Sequence, residues 1–238
     1  MPQKLNLIYE GKAKKIFETS ISEQLIMEYK DSLTAFNALK KGEFSGKGQI
    51  NCKISTIIFK LLSKNKIPHH WLSTDGNSMT VIKTKIIPLE VVVRNYVAGS
   101  LAKKLNLEEG LKLSSSLVEL FFKDDALGDP FVNDDQALEF KWASQEQLVE
   151  MKKLALKINS ILSENLLKVG LKLIDFKVEF GLDKDMKILL ADEISPDCMR
   201  LWDIQTNEKL DKDRFRRDLG NVEAAYLDVL KRIERIEI

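Results

Sequence analysis

The most regular pattern in the chain runs through LIDFKVEF, residues 173–180. Ile174, Phe176, Val178 and Phe180 alternate with Asp175, Lys177 and Glu179. That is the period of two of a strand with one face in a core. The polar face carries an acid, a base and an acid at successive positions, roughly 6–7 Å apart at strand rise. Asp183-Lys184-Asp185 reads as a turn and Lys187–Ala191 as the returning strand. An even loop would set Lys177 opposite Asp192, on the face of Glu179; an odd loop or a bulge would break that register.

Helical spacing appears in three places. Ile54, Ile57, Ile58, Leu61 and Leu62 predict an amphipathic helix over Gln49–Ser63, packed on a small sheet. Ser144 with Gln147 resembles a capping box. It opens a long stripe of Leu148, Met151, Leu154, Ala155, Ile158, Ile161, Leu162, Leu166 and Val169, and Gly170 suits its C′ position. Asp213, Phe215, Leu219, Val222, Tyr226 and Val229 predict one C-terminal helix with Arg214, Arg216 and Arg217 at its start. Cations there oppose the helix dipole, so at least one is expected to answer an anion elsewhere.

Between these lie shorter strand signals. Leu5–Glu18 reads as two strands around Gly11-Lys12-Ala13-Lys14, and Gln24–Asp31 as a third. Ser32–Asn37 reads as loop. His70–Ser73 and Met79–Thr84 read as a hairpin about Asp75-Gly76-Asn77. Leu89–Val97 predicts a buried strand, Leu101–Leu107 a helix, Val118–Lys123 a strand and Asp124–Asp135 an acidic loop. The expected fold class is α+β in two lobes. A small antiparallel sheet lobe with one helix covers residues 1–84, a larger α/β lobe covers 85–238, and Thr84–Pro88 crosses between them.

Composition narrows the field. At 238 residues, 44% hydrophobic and 31% charged, the chain has material for a sizeable core. A net charge of +1 argues for neither nucleic acid nor a membrane surface, so any anion site is local. Cys52 and Cys198 make no disulfide framework, which fits a reducing cytosol. No leader-like or membrane-spanning run is expected. His69 and His70 are the only histidines and are adjacent, which argues against a histidine zinc site or Ser-His catalysis.

The candidate chemistry sits in loops and on strand faces. A glycine turn with Lys12 and Lys14 between strands can close over a polyphosphate; it also reads as a basic hairpin tip. Phe44–Gly48 is a second Gly–Lys loop. Glu90 and Arg94 share a strand face, as an anion site or as a structural ion pair. Ala98-Gly99-Ser100 opens a helix, where free N–H groups can seat a phosphate beside the Arg94 fork. Lys177, Glu179 and Asp192 read either as a solvated sheet face or as a metal–phosphate site, since Mg²⁺ takes one or two carboxylates plus phosphates.

The ordered set YEGKAKKIF, TAFN, GKG, VVVRNYVAGSL, LFFKDDALGDPFVN, DFKVEFG, LADEISPD…RLWD and DKDRFRRDLG resembles the SAICAR synthetase family across Tyr9–Gly220. That resemblance implies a two-lobed fold with an ATP cleft. It implies a homodimeric, cytoplasmic ligase of purine biosynthesis, joining the carboxylate of carboxyaminoimidazole ribotide (CAIR) to the amine of L-aspartate with ATP and Mg²⁺. It implies that Gly11, Lys12, Ala13 and Lys14 form the ATP loop, with Lys123, Glu179 and Asp192 at phosphates and Mg²⁺. Glu90 and Asp129 would lie near a metal at the CAIR carboxylate. Arg94, Ser100 and Arg200 would take the CAIR phosphate, with Asp175, Lys177 and Arg216 nearby. At TAFN this chain carries Asn37, where many relatives have aspartate. Two other readings stay open: a kinase of a small phosphorylated metabolite, and an anion- or RNA-binding module.

Overall fold

The computed structural model describes residues 2–35 and 39–238. β1 (Lys4–Glu10), β2 (Lys14–Thr19) and β3 (Gln24–Tyr29) form an antiparallel meander around the Gly–Lys turn. β4 (Ser32–Ala35) and β5 (Lys40–Glu43) form a separate two-stranded ribbon. The loop expected from Ser32 is therefore a strand over its first four residues, because Leu33 and Ala35 both turn into the core. Asn37 lies outside the described residues.

α1 (Lys47–Lys64) starts two residues before its apolar spacing suggests. The Asp31 carboxylate accepts hydrogen bonds from the N–H groups of Gly46 and Gly48, which fixes that start. Ile54, Ile58, Leu61 and Leu62 face inward. β6 (Trp71–Asp75) and β7 (Ser78–Ile82) are the expected hairpin. β7 pairs with β3, giving a five-stranded sheet in the order β1-β2-β3-β7-β6.

The second sheet begins with β8 (Lys85–Tyr96), so the expected crossing at residues 84–88 is already mostly strand. Pro88 falls where the register of β8 shifts, the position a strand proline tolerates. α2 (Gly99–Leu105) leads to β9 (Lys112–Phe122) and the short β10 (Phe131–Val132). The acidic loop thus ends in structure, followed by α3 (Asp134–Glu139). α4 (Gln145–Lys168) carries the expected capping box, with Ser144 Oγ accepting from Gln147 N and Gln147 Oε1 from Ser144 N. Its stripe packs on β8 and on β11 (Leu171–Leu182). β12 (Ile188–Ala191) and β13 (Met199–Asp203) both pair with β11, and the main path of the six-stranded sheet runs β10-β9-β8-β11-β12.

The single C-terminal helix is two: α5 (Asp213–Arg216) and α6 (Val222–Ile233). Between them Asp218, Gly220 and Asn221 take φ of 55°, 68° and 49°, which no continuous right-handed helix allows. One apolar core runs from Met27 and Val81 of the first sheet to Val178 and Phe180 of the second.

Register between β8 and β11 sets the polar residues of the two strands against each other. Arg94 lies opposite Asp175, Val92 opposite Lys177, and Glu90 opposite Glu179.

Candidate active site

The apolar half of β11 is buried as its period predicts, with Ile174 and Phe180 at 0% exposure. The charged half is not a solvated face. Asp175 and Glu179 are buried too, and with Lys177 they line a cleft of about 780 Å³ whose walls come from both sheets. Two glutamates face each other at the register pair Glu90–Glu179, an arrangement that destabilises a sheet unless a cation joins them. Lys177 is that cation. Its Nζ donates to Glu90 Oε1 at 2.8 Å and to Glu179 Oε1 at 2.7 Å. Burial opposes the Lys177 charge, but Glu179, Glu90 and Asp192 outweigh it and hold its pKa well above the ordinary value. Glu90 is left with a raised pKa, because burial exceeds the help from Lys177.

The hairpin after β11 does not take the register that pairs Lys177 with Asp192. Its ladder ends with Glu179 opposite Ala191, and the loop from 183 to 187 is odd. Asp192 then leaves the ladder at φ 60°. That turn carries its carboxylate to Lys14 at the start of β2, and Lys14 Nζ also reaches Glu193 Oε1 at 2.9 Å. Burial works against the Lys14 ammonium, yet Asp192 and Glu193 together raise its pKa far above normal. Asp192 is correspondingly depressed: burial disfavours its charge, and Lys14 and Lys177 more than offset that. Lys123, at the end of β9, donates to Glu179 Oε1 at 2.8 Å. Three ammonium groups and the four carboxylates of Glu90, Glu179, Asp192 and Glu193 thus share one end of the cleft.

The other end is built on arginines. Arg94 is 3% exposed, and its guanidinium donates to Glu119 Oε2, Asp175 Oδ2 and Ser100 Oγ at 2.6, 2.9 and 3.0 Å. Glu90 is not among its partners, so the structural Glu90–Arg94 pair is not formed. Arg200 on β13 donates to Asp175 at 2.9 Å and to Asp213 at 3.0 Å. Burial opposes the charge of Asp213, but Arg200 and Arg216 hold its pKa down to about 2. Gly99 makes room here: a side chain at that position would run into the Arg200 guanidinium, and its φ of 55° suits glycine.

Every residue to which the family resemblance gives a site role lines this cleft, whereas the Phe44–Gly48 loop, Ala98 and Gly99 are not among its lining residues. Gly11, Lys12, Ala13 and Lys14 form its upper edge; Lys12 spans to Asp125 of the acidic loop at 2.7 Å. Asp129 lies near enough for its charge to raise the pKa of Glu90. Arg216 sits at the margin, donating to Asp213 Oδ1 at 2.7 Å. Other lining residues carried no role from the sequence: Glu193, His70, Asp197 and Lys212. The Asp197 side chain is largely covered and is joined to Lys47 at 2.7 Å and to the Tyr226 hydroxyl at 2.8 Å. The dense acids of DEISPD and the GKG and DKDR motifs marked their neighbourhood, but their partners come from distant elements. Among the described residues, no three Asp, Glu, His or Cys side chains converge as a preformed metal cage. The donors present are hard carboxylate oxygens, the type that holds Mg²⁺ one or two at a time alongside phosphates.

Fold and cleft together define an α+β enzyme that handles anionic small molecules between two sheets. Residues 7–233 match the family model described as SAICAR synthetase. The chain is 55% identical over 232 residues to the phosphoribosylaminoimidazole-succinocarboxamide synthase of Campylobacter jejuni, covering 97% of this chain and 98% of that one. It is 54% identical over 233 residues to the Wolinella succinogenes enzyme of the same name, covering 97% and 99%. Among solved structures, that enzyme from Ehrlichia chaffeensis superposes with a TM-score of 0.94 at 43% identity, covering 98% of this chain and 100% of that one. A SAICAR synthetase in complex with ADP superposes at 0.92 with 48% identity, covering 94% and 96%. The chain belongs to the SAICAR synthetase family and is an ATP-dependent carbon–nitrogen ligase of purine biosynthesis. The kinase and nucleic-acid-binding readings fall away.

Proposed function

We propose that the cleft joins CAIR to L-aspartate through an acyl phosphate, with ATP at the lysine end and the ribotide phosphate at the arginine end. The observation that carries this is the row Asp175–Lys177–Glu179. It links the two ends along one strand over roughly 13 Å, four residues at about 3.3 Å each. One end offers the guanidinium groups of Arg94 and Arg200 with Ser100, a planar fork suited to a phosphate monoester. The other offers Lys14, Lys123 and Lys177 against buried acids.

A carboxylate is a poor electrophile because its leaving group would be oxide. A CAIR carboxylate oxygen attacks the γ-phosphorus, the bond to ADP breaks, and an acyl phosphate forms. The aspartate amine attacks that carbonyl carbon, phosphate leaves with the carboxylate oxygen, and the nitrogen gives up one proton to become the amide. Lys14, Lys123 and Lys177 stabilise charge on the transferring group, a task their raised pKa values suit. Glu179 and Asp192 would hold Mg²⁺ at the phosphates, and Glu90 with Asp129 would hold a metal at the CAIR carboxylate; bound there, Mg²⁺ supplies charge neutralisation. Gly11–Lys14 covers the nucleotide, Arg94, Ser100 and Arg200 fix the ribotide, and Asp175 and Arg216 border it. The ADP complex of the 48%-identical relative supports the nucleotide assignment. Placing the lysine row over both reactants converts two encounters into one, an orientation effect of roughly 7–11 kcal/mol in the best cases.

The same reading divides the chain into lobes at residues 84 and 85 and makes it a cytoplasmic homodimer; light scattering should give twice the 27.2 kDa chain mass. Among the described residues, no helix is long and apolar enough to cross a membrane. The direct test is phosphate release with ATP, CAIR and aspartate, each omitted in turn. Stoichiometric phosphate and amide are expected only with all three. Phosphate at the full rate without aspartate would contradict the coupled reaction.

A further inference from the structure

Pro68, His69 and His70 run between the two sheets. Leu190 N donates to Pro68 O at 3.0 Å, His70 N to Leu190 O at 2.9 Å, and Ile82 N to His70 O at 2.7 Å. The segment is therefore pinned to β12 on one side and to the end of β7 on the other. The His70 ring is 4% exposed and packs against Phe59, with ring centroids 5.5 Å apart. Its Nε2 lies 3.0 Å from the backbone oxygen of Asp192. A carbonyl oxygen only accepts, so Nε2 carries the proton. Asp192 holds a left-handed backbone at φ 60°, a conformation that costs a non-glycine residue free energy and persists only when its surroundings impose it. Its side chain is held by Lys14, a group that also faces the cleft. His70 grips the backbone instead, from a segment anchored in both sheets.

We infer that His70 is a positioning residue: its Nε2–H bond to the Asp192 carbonyl fixes the left-handed turn that aims the Asp192 carboxylate at the nucleotide phosphates. The inference rests on the proposed role of Asp192. A ligand drawing Lys14 away from Asp192 removes the side-chain restraint, and the His70 bond then remains to hold the carboxylate where it is needed. Orientation errors of this kind weaken binding and turnover without removing any contact group.

The test uses the full-length chain and calorimetric titration with Mg·ADP and, separately, with CAIR. His70→Met keeps an apolar filling beside Phe59 and loses the donor; His70→Gln keeps an N–H at the reach of Nε2. His70→Met is expected to weaken Mg·ADP about ten-fold, the worth of one buried hydrogen bond, and to leave CAIR unchanged. His70→Gln is expected to bind Mg·ADP like the parent. In an Asp192→Asn background, His70→Met is expected to add no further loss, since the group being aimed is already disabled. Equal weakening for both ligands, no rescue by glutamine, or the same loss in the Asp192→Asn background would each overturn the positioning role. Should His70→Met fail to fold, the glutamine variant decides alone: a ten-fold loss of Mg·ADP affinity in a protein with a normal thermal midpoint overturns the inference. If Asp192→Asn itself leaves Mg·ADP affinity intact, the reading of the site fails, and this inference with it.

Discussion

Lys14 neutralises two carboxylates at once, the half-buried Asp192 and the buried Glu193. Lys14→Ala is therefore expected to lose turnover by orders of magnitude and also to lower stability by about 1–3 kcal/mol, the usual cost of leaving buried charges unpartnered. Asp192→Asn keeps shape and is expected to lose turnover with a smaller drop in thermal midpoint. Normal turnover in either variant at saturating Mg²⁺ would remove that residue from the site. Arg94 has all its nitrogens engaged by protein groups, so Arg94→Lys loses the fork and strands Glu119 or Asp175. It is expected to weaken CAIR while sparing Mg·ADP, with stability reduced by about 3 kcal/mol; equal weakening of both ligands in calorimetry would make Arg94 purely structural. Each of these residues sits in a short motif that marked it as a candidate but left a second reading open, and the structure brings all three to one cleft. Glu193 was not so marked. Its meaning comes from Lys14, 179 positions away, and from the Ser195 hydroxyl that donates to its other oxygen at 2.5 Å.

At the scale of elements, periodicity located β11, α1 and α4, and the Ser144 capping box and Gly170 marked both ends of α4. The start of α1 came earlier than its spacing suggests because Asp31, which lies outside the periodic stretch, accepts from the N–H groups of Gly46 and Gly48. The hairpin of β11 and β12 shows the limit most clearly. Its charged face was readable, but the partner of Lys177 depended on whether the loop was odd, and the loop from 183 to 187 carries no glycine to announce it. The break between α5 and α6 was missed because a helical stripe continues across it, while Asp218, Gly220 and Asn221 take left-handed backbones. The start of α2 offers a test of element geometry. Gly99→Ala would drive a methyl group into Arg200 at a backbone angle alanine resists. CAIR affinity should fall at least ten-fold, roughly the cost of one charge-assisted hydrogen bond, with Mg·ADP unaffected. Unchanged CAIR affinity would place Arg200 outside the ribotide site.

The whole molecule stores charge in its cleft, and acid should reveal it. Asp192, Asp197 and Asp213 all have pKa values depressed below the ordinary carboxylate value despite burial, because lysines and arginines face them. A depressed carboxylate contributes stability that is full above its unfolded pKa, near 3.9, and is lost as pH falls through the folded one. For Asp213, held at about 2, that window runs from roughly pH 4 down to 2. Wild type should be more stable than Asp213→Asn in urea at pH 6, with the gap closing as pH approaches 2. Parallel stability curves across that range would show that Asp213 is not held by Arg200 and Arg216.

The proposed nucleotide and ribotide ends of the cleft belong to one reaction only if CAIR oxygen reaches the γ-phosphorus. With CAIR labelled by ¹⁸O in its carboxylate, turnover with ATP, Mg²⁺ and aspartate should release phosphate carrying one labelled oxygen, while enzyme quenched with Mg·ATP alone should show no added phosphoryl group by mass spectrometry. Unlabelled phosphate would contradict the acyl-phosphate route, and a phosphorylated chain would contradict direct transfer between the two substrates.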